Sequence, residues 1–258
     1  MNSIHSSGAA LALCALLAAC GGGGTGSTPT PTSYAVNGTL STLNTSGTEP
    51  FAAWTGGAGT IRAATITDTS VQATGTVASG GAFSLSLPAN IAGGSLEPLG
   101  EANIDLSDQG CTGSLSISNP NALGTGISFV VDSASLDGAA VPVDYQAVYV
   151  GPKLTSATVT FGLLLYVDAA TTITGQQTCV VNGLTVTATV NAPLKAGYNR
   201  LNAALTVSES TSALNVTTGA WPSRWVVGAS VGSLGLGKAN KALLEGQVNS
   251  LLPLGLRF

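Results

Sequence analysis

The sequence predicts an all-β protein, folded as an antiparallel β-sandwich or as a barrel-like closure of the same strands. Apolar and polar residues alternate along many segments, so that Leu184, Val186, Ala188 and Val190 share one strand face and threonines take the other. Turn-forming residues recur about every ten positions, which favours antiparallel pairing over a parallel α/β sheet. The outward threonines supply β propensity without adding charge.

The strand-like segments are spread over the whole chain beyond residue 33. They are Tyr34–Thr42, Gly59–Thr67, Ser70–Val77, Phe83–Leu87, Ile127–Ser133, Val141–Val150, Thr155–Val167, Leu184–Val190 and Leu201–Ser208. One short C-terminal helix is expected between Lys238 and Leu252, where apolar residues share a flank and Pro253 ends the run. The alternating residues from Pro253 to Phe258 fit a final strand docked into the sheet.

The N-terminus has the features of an export signal. The apolar run from Gly8 to Ala19 spans 12 residues, whereas a membrane-spanning helix needs about 20. That length is typical of a signal peptide. The segment Leu17-Ala18-Ala19-Cys20 resembles the lipobox of bacterial lipoproteins. The resemblance implies cleavage before Cys20 and lipid on that cysteine, which would anchor the chain firmly in a membrane.

Two details of this N-terminus leave alternatives open. No Lys or Arg precedes Gly8, so an ordinary secretory signal cut elsewhere, or a different chain start, remains an alternative. Gly21 stands after Cys20 where an Asp would signal retention in the inner membrane. The glycine at position 21 therefore favours the outer membrane or the cell surface.

The predicted organisation has three parts. Residues 1–19 form the signal peptide, and residues 20–33 form the lipidated cysteine with a Gly/Thr/Pro linker. Residues 34–258 form the β domain, with a break near residues 90–105 if there are two subdomains.

Composition excludes a nucleic-acid partner. Only 8% of the residues are charged and the net charge is −4, with a pI near 4.7. Phosphate binding needs clustered Lys and Arg, whereas the eight basic residues here are scattered singly. A mean hydropathy of +0.39 also argues against disorder.

The cysteines divide by position. Cys14 lies in the signal peptide and Cys20 is the lipidation site, which leaves Cys111 and Cys179 in the exported part. An even pair in an exported chain indicates a disulfide, with two separate buried thiols as the alternative. No metal is expected, because the mature chain has no histidine to join the two thiols, and no cofactor is predicted.

A glycine-rich hairpin motif carries the only family likeness of the domain. Gly75-Thr76-Val77 followed by Gly81-Ala82-Phe83-Ser84-Leu85-Ser86-Leu87-Pro88 resembles the hallmark of carboxypeptidase-regulatory-like, transthyretin-type β-sandwiches. With Trp54–Gly57 and Leu194–Asn199, the layout is similar to deinococcal-type bacterial envelope lipoproteins of unknown function. The resemblance implies a β domain at the cell envelope and brings no catalytic residues.

Two segments match enzyme motifs incompletely. Gly228–Gly232 has the G-x-S-x-G spacing of a nucleophile elbow, but the only histidine, His5, is lost with the signal peptide. Gly232–Lys238 has the glycine and lysine frame of a P-loop, but Ala239 replaces the hydroxyl residue that would hold Mg²⁺. Glycine-rich turns account better for both segments.

Acidic residues leave one enzyme class open. Asp105 and Asp108 lie close together, and Asp132–Gly138 superficially resembles an oxygen-rich calcium loop without the EF-hand ligand spacing. Solvated turn residues explain them better. A glycosidase using two convergent carboxylates is the enzyme alternative.

Aromatic residues give the candidate ligand-binding positions. Trp221, Arg224 and Trp225 surround a Pro-set turn, where exposed rings would stack on a glycan. Packing in the core is the alternative for each Trp. Tyr198-Asn199-Arg200 is expected at a comparable loop tip.

Three functions follow as hypotheses. The first is a non-catalytic envelope lipoprotein with a structural or binding role, which contacts the membrane through its lipid and has a glycan or envelope component as candidate partner. The second is a carrier of a hydrophobic ligand, which requires an apolar cavity of several hundred Å³. The third is a carbohydrate-active enzyme with paired carboxylates. The sequence predicts no oligomeric state.

Overall fold

The computed structural model describes residues 33–44, 50–100, 111–151, 153–181, 184–208 and 211–228, and nearly all of the regular secondary structure in these ranges is β-strand. The only helical element among these residues is a 3₁₀ turn at Gly93–Ser95. The strands are β1 (Ser33–Leu43), β2 (Phe51–Ala53), β3 (Gly59–Thr65), β4 (Val71–Val77), β5 (Ala82–Pro88), β6 (Glu97–Pro98), β7 (Thr112–Ile117), β8 (Leu123–Ser133), β9 (Gly138–Val150), β10 (Lys153–Val167), β11 (Thr171–Val181), β12 (Leu184–Leu194), β13 (Gly197–Ser208), β14 (Ser212–Thr218) and β15 (Arg224–Val227).

The prediction of an all-β fold is confirmed for the described residues, and each of the nine strand segments predicted between Tyr34 and Ser208 overlaps an observed strand. The strands form one sheet in the order β6-β8-β3-β4-β5-β1-β15-β9-β10-β13-β14-β12-β11-β7, with β2 beside β1. The prediction of purely antiparallel pairing is wrong at two places, because β15 lies parallel to β1 and β14 lies parallel to β12. In both cases the two paired strands are not consecutive in the chain. Alternation within a segment predicts a strand but not its partner or the direction of pairing.

The sheet returns on itself at β8. Besides its place next to β3, β8 pairs with β9 through Val130 and Val131 and with β10 through the stretch that ends at Ile127. A closed strand ring therefore runs through β8, β3, β4, β5, β1, β15 and β9. The first hydrophobic core, with Ile61, Leu85 and Phe129 among its buried residues, comes from these strands and the end of β10.

Strand β10 contributes buried residues to hydrophobic cores on both of its faces. Leu164 and Tyr166 join the first core. Residues of the opposite parity, including Val159 and Phe161, join a second core with β13, β14 and β12. Val167 belongs to a third core beside β12 and β13. Side chains alternate across a strand, so one strand can serve cores on both sides.

The predicted glycine hairpin is confirmed between β4 and β5. Gly81 adopts a φ of 86°, a left-handed conformation that glycine takes at little cost. Its N–H donates to the Ala78 carbonyl at 2.8 Å, which closes the turn. Phe83, Leu85 and Leu87 then point into the first core, as their alternation predicts.

The predicted disulfide is present. Cys111 and Cys179 are bonded across 68 residues of chain, and both are buried. The bond joins the residue before β7 to β11, the one strand that pairs with β7 in the described part of the sheet.

Several predicted features lie outside the described residues. These are the signal peptide of residues 1–19, Cys20, the linker up to residue 32, the helix Lys238–Leu252 and the segment Pro253–Phe258. Part of the expected break near residues 90–105 is also outside them. The described strands on either side of that region belong to one sheet.

Candidate functional site

Trp225 lies in the core. Strand β15 is inserted between β1 and β9, so Leu40 and Pro142 flank Trp225 in the sheet. The side chain is 2% exposed, and it meets the rings of Phe83 and Phe129 edge to face at 5.0 Å each. The core-packing alternative therefore describes Trp225, and its ring presents no surface to a ligand.

A glycine makes room for this indole. A Cβ placed on Gly38 of β1 would lie 2.5 Å from Cδ1 of Trp225, far closer than two carbon atoms can approach. Any larger residue at position 38 would displace the indole. The absence of a side chain there is therefore part of the Trp225 packing.

Arg224 points away from Trp225. Neighbouring residues of a strand face opposite sides, and Arg224 is exposed while Trp225 is buried. The Arg224 guanidinium carbon lies 4.5 Å from the centre of the Phe51 ring, a cation–π distance. The structure thus separates the two neighbours Arg224 and Trp225 instead of joining them in one site.

Trp221 contacts the Trp225 ring edge to face at 5.5 Å, and it also meets Arg200, which the sequence placed in a different segment. The Arg200 guanidinium carbon lies 4.9 Å from the Trp221 ring centre and 5.6 Å from that of Tyr34. Its Nε donates a hydrogen bond to the Tyr34 hydroxyl at 2.8 Å. Arg200 is exposed, so these contacts hold a solvent-facing cation in place. We call Tyr34, Arg200 and Trp221 the Arg200 cluster.

The Arg200 cluster rests on the half-buried Tyr198 and the buried Tyr166. Tyr198 packs against Tyr34 at 4.9 Å and against Tyr166 at 5.1 Å. Burial, with a smaller contribution from Tyr166, raises the pKa of Tyr198 to about 12. The Tyr198 hydroxyl and Oδ1 of Asn202 are buried with no hydrogen-bond partner among the described residues.

The prediction of a loop tip at Tyr198-Asn199-Arg200 is wrong, because these residues begin strand β13. The loop before them is held by Asn199, whose Oδ1 accepts from the Lys195 N–H at 2.9 Å. Its Nδ2 donates to the carbonyls of Lys195 at 2.7 Å and Gly197 at 2.9 Å. The asparagine therefore closes the turn, and the alternating residues Tyr198 and Arg200 project from the strand.

A gap opens in the sheet where β10 changes partner. One edge of β10 pairs with β9 as far as Phe161 and with β8 only from Leu164 onward. No described strand pairs with Gly162 or Leu163 on that edge. The Trp221 indole N–H donates to the Leu163 carbonyl at 2.9 Å and so replaces a missing strand partner. A Cβ on Gly162 would come within 2.8 Å of Trp221.

An apolar pocket of about 270 Å³ lies at this gap, and we call it the junction pocket. Strands β8, β9, β10, β13 and β14 contribute to its wall. Its apolar lining includes Ile66, Ala139, Val141, Leu163, Leu201 and Val216.

The junction pocket has almost no polar lining. Its one polar side chain is Ser128, whose hydroxyl already donates to the Ala64 carbonyl at 3.2 Å. Ile66 is 48% exposed and Ala139 is also exposed, so the pocket opens to the surface on this side. Such a site favours an apolar group.

Asp68 and Asp137 accept hydrogen bonds in turns, whereas Asp132 and Asp144 lie in strands β8 and β9. Asp137 accepts a hydrogen bond from the Ser133 N–H at 3.0 Å. Asp68 accepts from the hydroxyls of Ser70, Ser95 and Thr65 and from the Ser70 N–H. These hydrogen bonds, that from the Ser70 hydroxyl first, hold the pKa of Asp68 well below its usual range.

Most residues of the enzyme-like motifs fall outside the described chain. Gly228 is described, whereas Ser230 of the elbow-like motif, the P-loop-like segment, Asp105 and Asp108 are not. Across the described ranges, no three His, Cys, Asp or Glu side chains come together as a metal site would require. None of the helical structure in these ranges is long and apolar enough to cross a membrane.

Sequence reasoning missed the junction pocket. Leu163, Leu164 and Leu165 follow one another in β10, and such a run in an otherwise alternating strand indicates burial on both faces. That signal could have identified β10 as a strand between two cores. Leu201 and Val216 reach the pocket through the pairing of β13 with β10 and β14. Strands β11 and β12 separate β10 from both of them in the chain, so no local sequence pattern predicts the contact.

The comparisons with known proteins identify no relative from which a function could be inferred, so the Arg200 cluster and the junction pocket are the candidate sites. No protein-family model matches the chain, and neither the curated proteins nor the solved structures contain a match.

Proposed function

We propose that this chain is a non-catalytic lipoprotein of the bacterial envelope that binds an apolar ligand in the junction pocket. The pocket carries the proposal, because it joins about 270 Å³ of volume to a lining with one already bonded polar side chain. A hydrophobic ligand requires these two properties, and a catalytic cleft requires converging polar groups instead.

The volume sets the size of the ligand. An apolar cavity of about 150 Å³ accommodates benzene. By that ratio, the 270 Å³ of the junction pocket would take about ten carbon atoms. A medium-length alkyl chain, or the end of a longer acyl chain, is the ligand class that fits.

The attachment to the envelope rests on the N-terminal sequence. The lipobox-like segment ending in Cys20 supports export and lipid anchoring, with the outer membrane or cell surface as the location. An anchored domain would meet acyl chains close to their source.

The transthyretin-type relationship is part of the proposal. Its support is the β4–β5 hairpin, where Phe83, Leu85 and Leu87 face the first core as the motif requires. The finer architecture proposed is a sandwich whose two layers meet at β10, supported by the cores on both faces of that strand.

Glycan binding at the Arg200 cluster is a second candidate. The exposed Arg200 guanidinium beside the Trp221 ring favours it, because sugar hydroxyls accept hydrogen bonds and the guanidinium donates them. A glycan screen with Trp221→Ala tests this candidate, and binding that the substitution leaves unchanged would contradict it.

The experiment for the junction pocket uses straight-chain alcohols of increasing length, titrated by calorimetry into residues 32–258. This part forms one compact unit and contains all three hydrophobic cores. Each added methylene should strengthen binding by about 0.8 kcal/mol, or about fourfold, until the chain fills the pocket near about ten carbons.

A matched pair of variants tests the location. Ala139→Phe places a ring at the pocket rim and should abolish binding, whereas Ala52→Phe makes the same change at another exposed strand position and should have no effect. Equal binding by both variants would show that the alcohol binds elsewhere.

The anchor has its own test. Cys20→Ser should release the full chain from membranes into the soluble fraction. Continued membrane association of this variant would show that lipid on Cys20 is not the anchor.

A further inference from the structure

The hairpin of β9 and β10 ends in exposed apolar residues. Val148, Tyr149 and Val150 are 56%, 60% and 68% exposed. They occur in succession, so both faces of β9 are apolar at this end of the strand. Adjacent exposed apolar residues on a strand are a common sign of a contact surface.

The outer edge of β9 is also unpaired over this stretch. Along one edge β9 pairs with β8 at Gly138 and Ala139 and with β10 from Val143 to Val150, whereas β15 covers the opposite edge only from Ala140 to Pro142. No described strand pairs with the segment from Val143 to Val150 on that side. An unpaired edge offers backbone donors and acceptors to another strand.

Two hydrogen bonds show which residues point to the free edge. The Gly228 N–H donates to the Ala139 carbonyl on the β15 side, and the Thr155 hydroxyl of β10 donates to the Val148 carbonyl. The N–H and C=O of an antiparallel strand residue point to the same side, which alternates along the strand. Tyr145, Ala147 and Tyr149 therefore present their backbone groups to the free edge.

We propose that this edge pairs with the same edge of a second copy of the chain, in an antiparallel arrangement with Ala147 on the two-fold axis. In that register, Ala147 of each copy exchanges backbone hydrogen bonds with its counterpart. Tyr145 of each copy is opposite Tyr149 of the other. A two-fold interface uses the same surface patch twice, which this register satisfies.

The side chains of the segment match in this register. The exposed Tyr149 ring comes beside the half-buried Tyr145 ring, and aromatic pairs across strands are favourable. Asp144 is opposite Val150 of the other copy. Because Val150 pairs with Lys153 within its own hairpin, the Lys153 ammonium of one copy and the Asp144 carboxylate of the other lie on the same face of the shared sheet with one strand between them. No like charges oppose each other, and this complementarity favours a second copy.

The edge also lacks the usual protection against such pairing. Natural edge strands are commonly blocked by lysine, proline or a bulge. The segment from Val143 to Val150 contains neither lysine nor proline, and the irregularity of this hairpin lies on β10, between Leu154 and Ser156.

Sedimentation velocity on residues 32–258 over a wide concentration range tests the proposal. The unchanged chain should show a reversible monomer–dimer equilibrium. Ala147→Pro removes the backbone donor on the axis without removing a bond to β10, and it should weaken the dimer by about tenfold or more. Tyr149→Lys should weaken it similarly, because the aromatic pair is lost twice. Circular dichroism checks that both variants are folded.

The matched control is Val71→Lys, which changes another exposed apolar strand residue and should leave the dimer unchanged. Three results would overturn the proposal: a monomer at all concentrations, a dimer unaffected by Ala147→Pro and Tyr149→Lys, or a monomer that dimerises only after residues 229–258 are removed. The last result would show that the chain's own C-terminal segment covers the edge.

Discussion

The disulfide gives a prediction whose size follows directly from the chain. Replacing both Cys111 and Cys179 by Ala in residues 32–258 removes a covalent link across 68 residues and leaves no cysteine in that part of the chain. The link restricts the unfolded chain, and loop-closure entropy for this separation corresponds to about 4 kcal/mol. The double variant should lose about that much free energy of unfolding.

The position of the Cys111–Cys179 disulfide predicts which part of the sheet loses stability when the bond is removed. β7 pairs with β11 and with no other described strand, and Cys111 immediately precedes β7. Without the bond, β7 is a short edge strand held on one side, so it should separate from β11 before the rest of the sheet unfolds. Amide exchange in β7 should accelerate more than exchange in β10.

Urea and thermal unfolding measure the loss. For a domain of about 200 residues, about 4 kcal/mol corresponds to a fall in Tm of about 8–16 °C. Ser116→Ala is the control, since it removes a hydrogen bond to the Thr174 carbonyl in the same strand pair without touching the link. It should change stability by about 0.5 kcal/mol or less. A loss under about 1 kcal/mol in the double variant would refute the loop-closure reasoning.

Three further substitutions test the packing and the turn chemistry. Trp225→Ala should cost about 3–5 kcal/mol in urea unfolding, because the indole is fully enclosed; a loss near zero would show that Trp225 is not part of the core. Trp221→Phe leaves the Leu163 carbonyl without its donor and should cost about 1–3 kcal/mol; an unchanged midpoint would contradict that bond. The lowered pKa of Asp68, caused first by the Ser70 hydroxyl, means that its stabilising effect is complete above the unfolded pKa of about 3.9. That effect is lost as pH falls toward the folded pKa, so Asp68→Asn should flatten the acid limb of a stability–pH curve; a curve parallel to the unchanged chain would contradict this.

Local patterns explain what could be predicted about the fold. Alternation identified strands such as β5 and β13, and the glycines before Phe83 identified a tight hairpin. These features depend on residues close together in the chain. The disulfide followed from the cysteine count and the inferred export.

Strands with weaker apolar patterns were missed. β11 (Thr171–Val181) carries mostly threonine, glutamine and glycine, and it includes the fully buried Gln177. β15 has only four residues, too few for alternation to be recognised. Its place between β1 and β9 depends on pairing with residues far away in the chain.

The candidate site shows the same limit. The separation of Arg224 from Trp225 follows from strand alternation alone, once β15 is known to be a strand. The contact between Trp221 and Arg200 does not, because it depends on how β13 lies against the segment before β15. The junction pocket arises where β10 exchanges β9 for β8, and no short stretch of sequence encodes that exchange.

The central claim is that the junction pocket holds an alkyl chain. The most direct measurement is a crystal structure of residues 32–258 with a bromine-tagged alcohol of about ten carbons, in which anomalous scattering locates the bromine. The account predicts a peak at the junction pocket with the chain between Leu163 and Val216, and no such peak in Ala139→Phe. A saturated complex whose bromine lies elsewhere would contradict it.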